Sequence, residues 1–595
     1  MTEISNRINR LRATMLQQNI AACIIPTNDP HASEYVADHW KARTYFSGFT
    51  GSAGTLIVTT SKAGLWTDSR YFLQAADELQ GSTIELFKMG EANVPTIATW
   101  LGSELEKGNL IAMNADLFSI ATIQQYHEYF SALEICLDTK TDLISAAWHN
   151  RPALPRAPLF IHEERFAGKS CEEKIDWVRK LMTKVNANLL LLNALDEIAW
   201  LFNIRGTDVD FNPVTIAYAA IEANQAILFV DLQKLTAATK TYFDTHHIIV
   251  KEYQSVAEYL SSLQGKTILL DKSKMNYAIY EQLTGKNQVK FETSPVLQLK
   301  SLKNDTEIKG TRLAMLKDGV ALTRFSMWLE SSFAQGLCVS ELSAANKLRG
   351  FRAEQDLFFG ESFAPIVGYK AHGAIVHYSA SESINAEIKP DGLLLIDSGA
   401  QFPHGTTDIT RTFALGCPTE KEKSDFTLVL KGHIALAQAV FPAGTCGYQL
   451  DALARQFLWK NGLNYGHGTG HGVGCFLCVH EGPQAIRPDA NKTPLETGMI
   501  ISNEPGIYRT GEHGIRLENL VLVQSCNFSD KNDFFCFETL TLFPFDTKAI
   551  SISLMTAEET VWLNTYHETV FNKLSPLLNQ EEKTWLQKKC QAIHH

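Results

Sequence analysis

Four acidic residues and a glycine-set pair of histidines, all between positions 397 and 518, have the types and spacing to do chemistry. Asp397 ends an apolar run, Leu393-Leu394-Leu395-Ile396, and Asp408 leads into the β-branched stretch Ile409-Thr410. The turn-prone cluster Phe402-Pro403-His404-Gly405 separates them. If the two runs pair as strands, the carboxylates stand opposite or one diagonal apart, roughly 5–8 Å between β-carbons. Carboxylates that close raise each other's pKa unless a cation lies between them. Taken alone, the same residues also fit a turn aspartate plus a surface one.

Glu504 sits where the apolar Met499–Ile501 meets Pro505-Gly506, and Glu518 lies among Leu517 and Leu520–Leu522. A carboxylate in such company needs a positive partner, either an ion or a side chain such as Arg516. Upstream of both lies Gly466-His467-Gly468-Thr469-Gly470-His471-Gly472-Val473-Gly474. Glycine at every second position permits close backbone approach and leaves two imidazoles unencumbered, as ligands or as structural residues. Four carboxylates and one imidazole suit two divalent ions such as Mn²⁺ better than Ca²⁺ or a structural zinc. Ions bridged in this way would lie roughly 3.5 Å apart and supply a hydroxide nucleophile at neutral pH.

Other chemistries are excluded by what is missing. No G-x-G-x-x-G register fits the glycine run, and Gly265-Lys266-Thr267 lacks the upstream glycine of a phosphate loop. There is no H-E-x-x-H and no G-x-S-x-G. Cys475-Phe476-Leu477-Cys478 has no second pair and sits in an apolar run, so it reads as structural.

The elements that must position these residues span 595 residues, enough for about three to four domains. Net charge is −11, with no basic excess for nucleic acid. No apolar run approaches membrane-spanning length. The N-terminus reads as an amphipathic helix without a signal peptide's apolar core. Eleven scattered cysteines, several in apolar stretches (Cys23, Cys136, Cys338, Cys526), suggest reduced, buried thiols in the cytoplasm.

Residues 1–155 alternate helix and strand patterns: helix near 4–18, strands at Ala21–Ile25, Gly54–Thr59 and Leu65–Thr67, helix at Ser69–Glu78. After the Pro-rich 151–158, similar texture fills 156–300, with a helix at Cys171–Val185 and strands at Leu189–Leu192, Ala226–Val230 and Thr267–Leu270. This suggests two similar α/β domains, without a residue-level repeat. A long amphipathic helix from Asp305 to Glu330, with Ile308, Leu313, Leu316, Val320 and Leu322 near one face, opens the segment 301–545 that carries the chemistry. The end, 546–595, is helical. Thr556-x-x-Glu559 and Asn579-x-x-Glu582 read as capping boxes, and Trp562, Leu563, Tyr566, Val570 and Phe571 as a packing face.

The ordered set Asp397, Asp408, the His471 loop, Asn503-Glu504-Pro505-Gly506 and Arg516–Asn519 resembles the pita-bread metallopeptidases. Together with His480-Glu481-Gly482-Pro483, Phe46–Thr55, Trp66–Phe72 and Leu195–Gly206, it resembles the long, three-domain cytosolic form of aminopeptidase P. The resemblance implies two creatinase-like α/β domains, a pita-bread catalytic domain and a C-terminal helical extension packed on it. It implies a metal-dependent aminopeptidase, with two ions, removing the residue before a penultimate proline. Asp397, Asp408, His471, Glu504 and Glu518 would be the ligands, with Glu504 also handling the nucleophile's proton. His377, His467 and His480 would be non-ligand active-site histidines, His377 and His480 also contacting substrate. Tyr508 and Arg516 would support the site and, with Arg205, bind substrate. A homodimer through the catalytic domain is also implied. Two other readings stay open: a prolidase acting on Xaa-Pro dipeptides, and a non-catalytic partner-binding protein on the same scaffold.

Overall fold

Apolar runs of four or five residues become strands wherever the sequence marks them. The computed structural model describes residues 3–382, 384–526 and 533–594, and they fall into two compact units. One comprises 1–164 with 169–298, the other 165–168 with 299–595.

The first unit holds two six-stranded sheets. In space the first runs Glu85–Lys88, Ala63–Thr67, Thr55–Thr59, Ala22–Pro26, Leu110–Ala112, Cys136–Asp138. The second runs Ile248–Lys251, Ala226–Val230, Ala217–Glu222, Leu189–Leu192, Thr267–Leu270, Gln288–Phe291. Both read parallel, antiparallel, antiparallel, parallel, parallel across the sheet. The same topology therefore occurs twice, without a residue-level repeat to announce it, because what the fold needs is the hydrophobic pattern rather than particular residues. Two expectations need correction. The helix near residue 69 begins only at Phe72, because Asp68 accepts from the Arg70 backbone and guanidinium and holds a turn there. Cys136 is exposed, on an edge strand, and so is Cys338, just after a helix end; Cys23 is buried as expected.

In the second unit the helix Asp305–Ala334 starts on a capping box, with Asn304 accepting from the Glu307 backbone. It buries Ala314, Met315, Asp318, Val320, Leu322, Phe325 and Leu329, which leaves Leu313 on the outer face, 39% exposed. Two sheets carry the site. One is the antiparallel set Ile366–Tyr369, Leu393–Ser398, Ile409–Ala414. The other runs Val440–Pro442, Phe534–Thr539, Asn519–Ser525, Ile500–Asn503, Gly470–Gly472, Glu481–Ile486. The helix Glu420–Ala437 is buried along most of its length, and Phe426, Val429 and Ile434 share one apolar cluster with Leu520 and Leu522. Leu563, Tyr566 and Val570 of the helix Ala557–Leu574 are buried in that cluster, with Trp562 and Phe571 packed against it; both capping boxes are formed.

Candidate metal centre and its surroundings

Asp397 lies opposite Thr410 in the strand pair, so Asp408, two residues earlier, stands on its diagonal. The two strands are not joined directly. Ala400–Phe402 and Gly405–Thr406 form their own hairpin at the turn cluster, in a separate sheet. Asp408, His471 and Glu518 each bring a ligand atom within 4.8 Å of the others. His471 Nε2 is 3.4 Å from Asp408 Oδ2 and 3.5 Å from Glu504 Oε1. Its Nδ1 faces the Gly472 carbonyl at 3.0 Å; as the N–H it fixes the tautomer and leaves Nε2 toward the carboxylates. The strand bearing His471 is wedged between neighbours: a Cβ on Gly470 would overlap the Ser502 carbonyl. That is the physical use of the alternating glycines. Ser502 Oγ accepts from the His471 backbone N–H at 2.9 Å and donates to Glu504 Oε1 at 3.2 Å, fixing the two relative to each other.

Glu518 sits just before the strand Asn519–Ser525, where Thr410 Oγ1 donates to its Oε2 at 2.8 Å. Arg516 is not its partner. That guanidinium donates to Asp397 Oδ2 at 2.6 Å and to the Tyr508 hydroxyl at 2.7 Å. The Tyr508 hydroxyl lies 2.7 Å from His467 Nε2, while His467 Nδ1 faces the Gly468 carbonyl at 2.7 Å. These contacts fit an Nδ1–H tautomer of His467 that accepts from Tyr508. His480 packs edge-on against His471, ring centroids 4.3 Å apart. His377 is half-buried beyond the 3₁₀ turn Lys370–Ala374. Arg205 belongs to the other unit, fully buried there and donating to the Ala199 and Ile204 carbonyls at 2.8 and 2.9 Å.

Burial raises the Glu504 carboxyl to about 7, the charges of His471 and Arg516 holding it down and Asp408 and Asp397 pushing it up. Burial likewise raises Asp397 and lifts Glu518 well above the carboxylate range. For His471 burial works downward, but the hydrogen bond to Asp408 and the Glu504 charge outweigh it and hold the imidazole at about 9. Such a cluster resists full ionisation by itself and calls for positive charge from outside the chain. Asp397 Oδ1 is buried with no protein donor. An orphaned carboxylate oxygen, three further carboxylates and an imidazole aimed at them fit hard to borderline divalent ions, whose binding must displace protons.

Several supporting residues carry no local sequence signal. Asp318 pairs with Arg352 at 2.7 Å and accepts from Thr407 Oγ1 at 3.0 Å, bracing the residue before Asp408. Arg411 donates to the Glu518 carbonyl and to Asn519 Oδ1. Glu341, fully buried, accepts from the Tyr369 and Ala386 backbones and the Tyr378 hydroxyl, staking both ends of the segment that carries His377. Glu481, next to His480, is held by two buried lysines, Lys300 at 2.6 Å and Lys303.

This fold and this site define a metallopeptidase. Residues 309–525 match metallopeptidase family M24 and 533–593 its C-terminal region, while 7–140 and 150–307 each match the creatinase/prolidase N-terminal domain. The chain is 40% identical over 609 residues to a probable Xaa-Pro aminopeptidase P of Laccaria bicolor, covering 99% of this chain and 94% of that one. It superposes with a TM-score of 0.95, at 32% identity and over 100% of both chains, on an X-prolyl aminopeptidase of Caenorhabditis elegans described as a cytosolic enzyme with a di-nuclear active site. An Xaa-Pro dipeptidase of Bacillus anthracis is 26% identical with a TM-score of 0.51, covering 63% of this chain and 99% of that one. The chain belongs to the aminopeptidase P family of M24 metallopeptidases.

Proposed function

We propose that this enzyme releases the N-terminal residue from peptides whose second residue is proline, and that Asp397, Asp408, His471, Glu504 and Glu518 hold two divalent ions of the Mn²⁺ type. The observation that carries the site is the convergence of Asp408, His471 and Glu518 ligand atoms within 4.8 Å, beside the orphaned oxygen of Asp397. Bound there, two divalent ions supply Lewis acidity and a water of lowered pKa. The chain's own groups do the rest. Glu504, set beside His471 and the other carboxylates, would take a proton from the attacking water and return it to the departing prolyl nitrogen. Its Oε1 is oriented by Ser502, so the proton is handled at a fixed atom. His480 and His377 would contact the prolyl residue and donate to the developing oxyanion. His467 acts through Tyr508 and Arg516, a line of hydrogen bonds ending on Asp397. The substrate's free α-amino group would reach the ions or the acidic cluster, which restricts cleavage to the first residue.

Cytoplasmic residence accords with the cytosolic character of the C. elegans enzyme, and no helix among the described residues is long and apolar enough to cross a membrane. A homodimer through the catalytic domain belongs to the same proposal. The alternative, a dipeptidase, draws on the similarity to the B. anthracis enzyme. Rates on an Xaa-Pro-Xaa tripeptide and an Xaa-Pro dipeptide separate the two. Cleavage of the tripeptide after its first residue, lost on chelation and restored by Mn²⁺, is expected; turnover confined to the dipeptide would overturn the aminopeptidase.

A further inference from the structure

A second group of metal-ligating side chains lies in the N-terminal unit, among residues to which the proposed peptidase reaction gives no role. Cys171 opens the helix Cys171–Lys184, Glu172 follows it, and His246 caps the end of the helix Ala237–Thr245. One ligand atom from each lies within 4.8 Å of the other two. His246 Nδ1 is 2.6 Å from Glu172 Oε1. The Cys171 residue is fully buried, and the Tyr242 ring lies tilted against His246 with centroids 4.3 Å apart, walling one side. The Glu172 and His246 side chains are 48% and 21% exposed, so the other side opens to solvent.

We propose that Cys171, Glu172 and His246 form a binding site for a borderline divalent cation of the Zn²⁺ type. One thiolate, one imidazole and one carboxylate are a donor set that selects zinc over Mg²⁺, Ca²⁺ or Mn²⁺. Tetrahedral bonds of about 2.0–2.3 Å place donors a little over 3 Å apart, so Glu172 and His246 need to part by less than about 1 Å. Both are exposed enough to do so. Three protein ligands leave the fourth position for water. Burial raises the Cys171 thiol, and its hydrogen bond with Tyr242 partly offsets this; binding therefore releases the thiol proton to solvent. The ion joins the start of one helix to the end of another across 75 residues of sequence, and its predicted effect is on the stability of this unit.

Co²⁺ tests this on the full chain. Thiolate ligation gives a near-ultraviolet charge-transfer band that the peptidase cluster, with oxygen and imidazole donors alone, cannot produce. The expected result is one band per chain, abolished in Cys171→Ser and in His246→Ala, displaced by Zn²⁺, with peptidase activity retained in both variants. Absence of the band in the wild-type chain at saturating Co²⁺, or its survival in Cys171→Ser, would overturn the site.

Discussion

The N-terminal unit and the catalytic unit treat buried charge differently. In the first, the buried ions Lys234, Asp208 and Lys174 find partners inside the fold, although Asp208 Oδ1 and Asp29 Oδ2 lack a donor. Lys234 pairs with Asp208, which also accepts from Thr215 Oγ1 and the Ile216 N–H, and Lys174 donates to the Trp200 carbonyl and Asn203 Oδ1. In the second, some charges are answered the same way, Asp318 by Arg352 and Asp451 by Arg455. Others are not: four carboxylates crowd one imidazole and Arg516, and a lone Glu481 takes two lysines. Internally matched charge only holds a fold together. Mismatched charge marks where the chain is built to receive something, or to hold the groups that do.

That contrast can be broken by substitution. Glu481→Gln leaves Lys300 and Lys303 buried without a carboxylate, which should cost about 3–5 kcal/mol of stability. Because His480 is the preceding residue, kcat/KM should also fall about 10–100-fold. Denaturant titration and kinetics on the same preparation check both; a loss of stability with unchanged kcat/KM would detach the triad from the site. Leu190→Ala, in the fully buried strand Leu189–Leu192, should cost about 2–5 kcal/mol and lower the unfolding midpoint. Its kcat under native conditions should be unchanged, and a kcat loss would show that the first unit does more than fold.

A further effect is one of pH. His433 and His567 are buried in the catalytic unit, and burial, with the Arg411 charge, pushes both down to about 3. The folded pKa lies below the unfolded value of about 6.5, so the unfolded chain binds more protons between the two. Their contribution is complete above pH 6.5 and is lost as pH falls toward 3, at about 1.4 kcal/mol per pH unit for each histidine. His567 Nε2 accepts from the Phe545 N–H, a bond Gln can copy without a titrating group. The slope below pH 6 should therefore be shallower in His567→Gln; an unchanged slope would place the acid sensitivity elsewhere.

The elements were legible where pattern alone decides them. Leu189–Leu192, Ala226–Val230 and Thr267–Leu270 are strands over those residues because runs that apolar must be buried. Asp397 and Asp408 were legible as a close pair, opposite or one diagonal apart, because strand register converts sequence spacing into distance. The partners of these residues were not. Arg516 turns to Asp397, 119 residues away, instead of Glu518, and Lys303 meets Glu481 across 178. Nothing local encodes such pairings. The exposure of Leu313 and Cys136 was hidden for a related reason: apolar type predicts burial only when the facing layer is known.

The central claim is that the five ligand residues hold two ions and that these make the site work. Its most direct test is metal content together with hydrolysis of an Arg-Pro-Pro peptide, after chelation and Mn²⁺ reloading, in the wild-type chain and in Asp408→Asn. Two ions per wild-type chain and release of the first residue alone are predicted, with the variant losing metal and at least about 10³-fold in kcat/KM. An Asp408→Asn chain that cleaves at the wild-type rate, or a wild-type chain equally active after chelation, would contradict it.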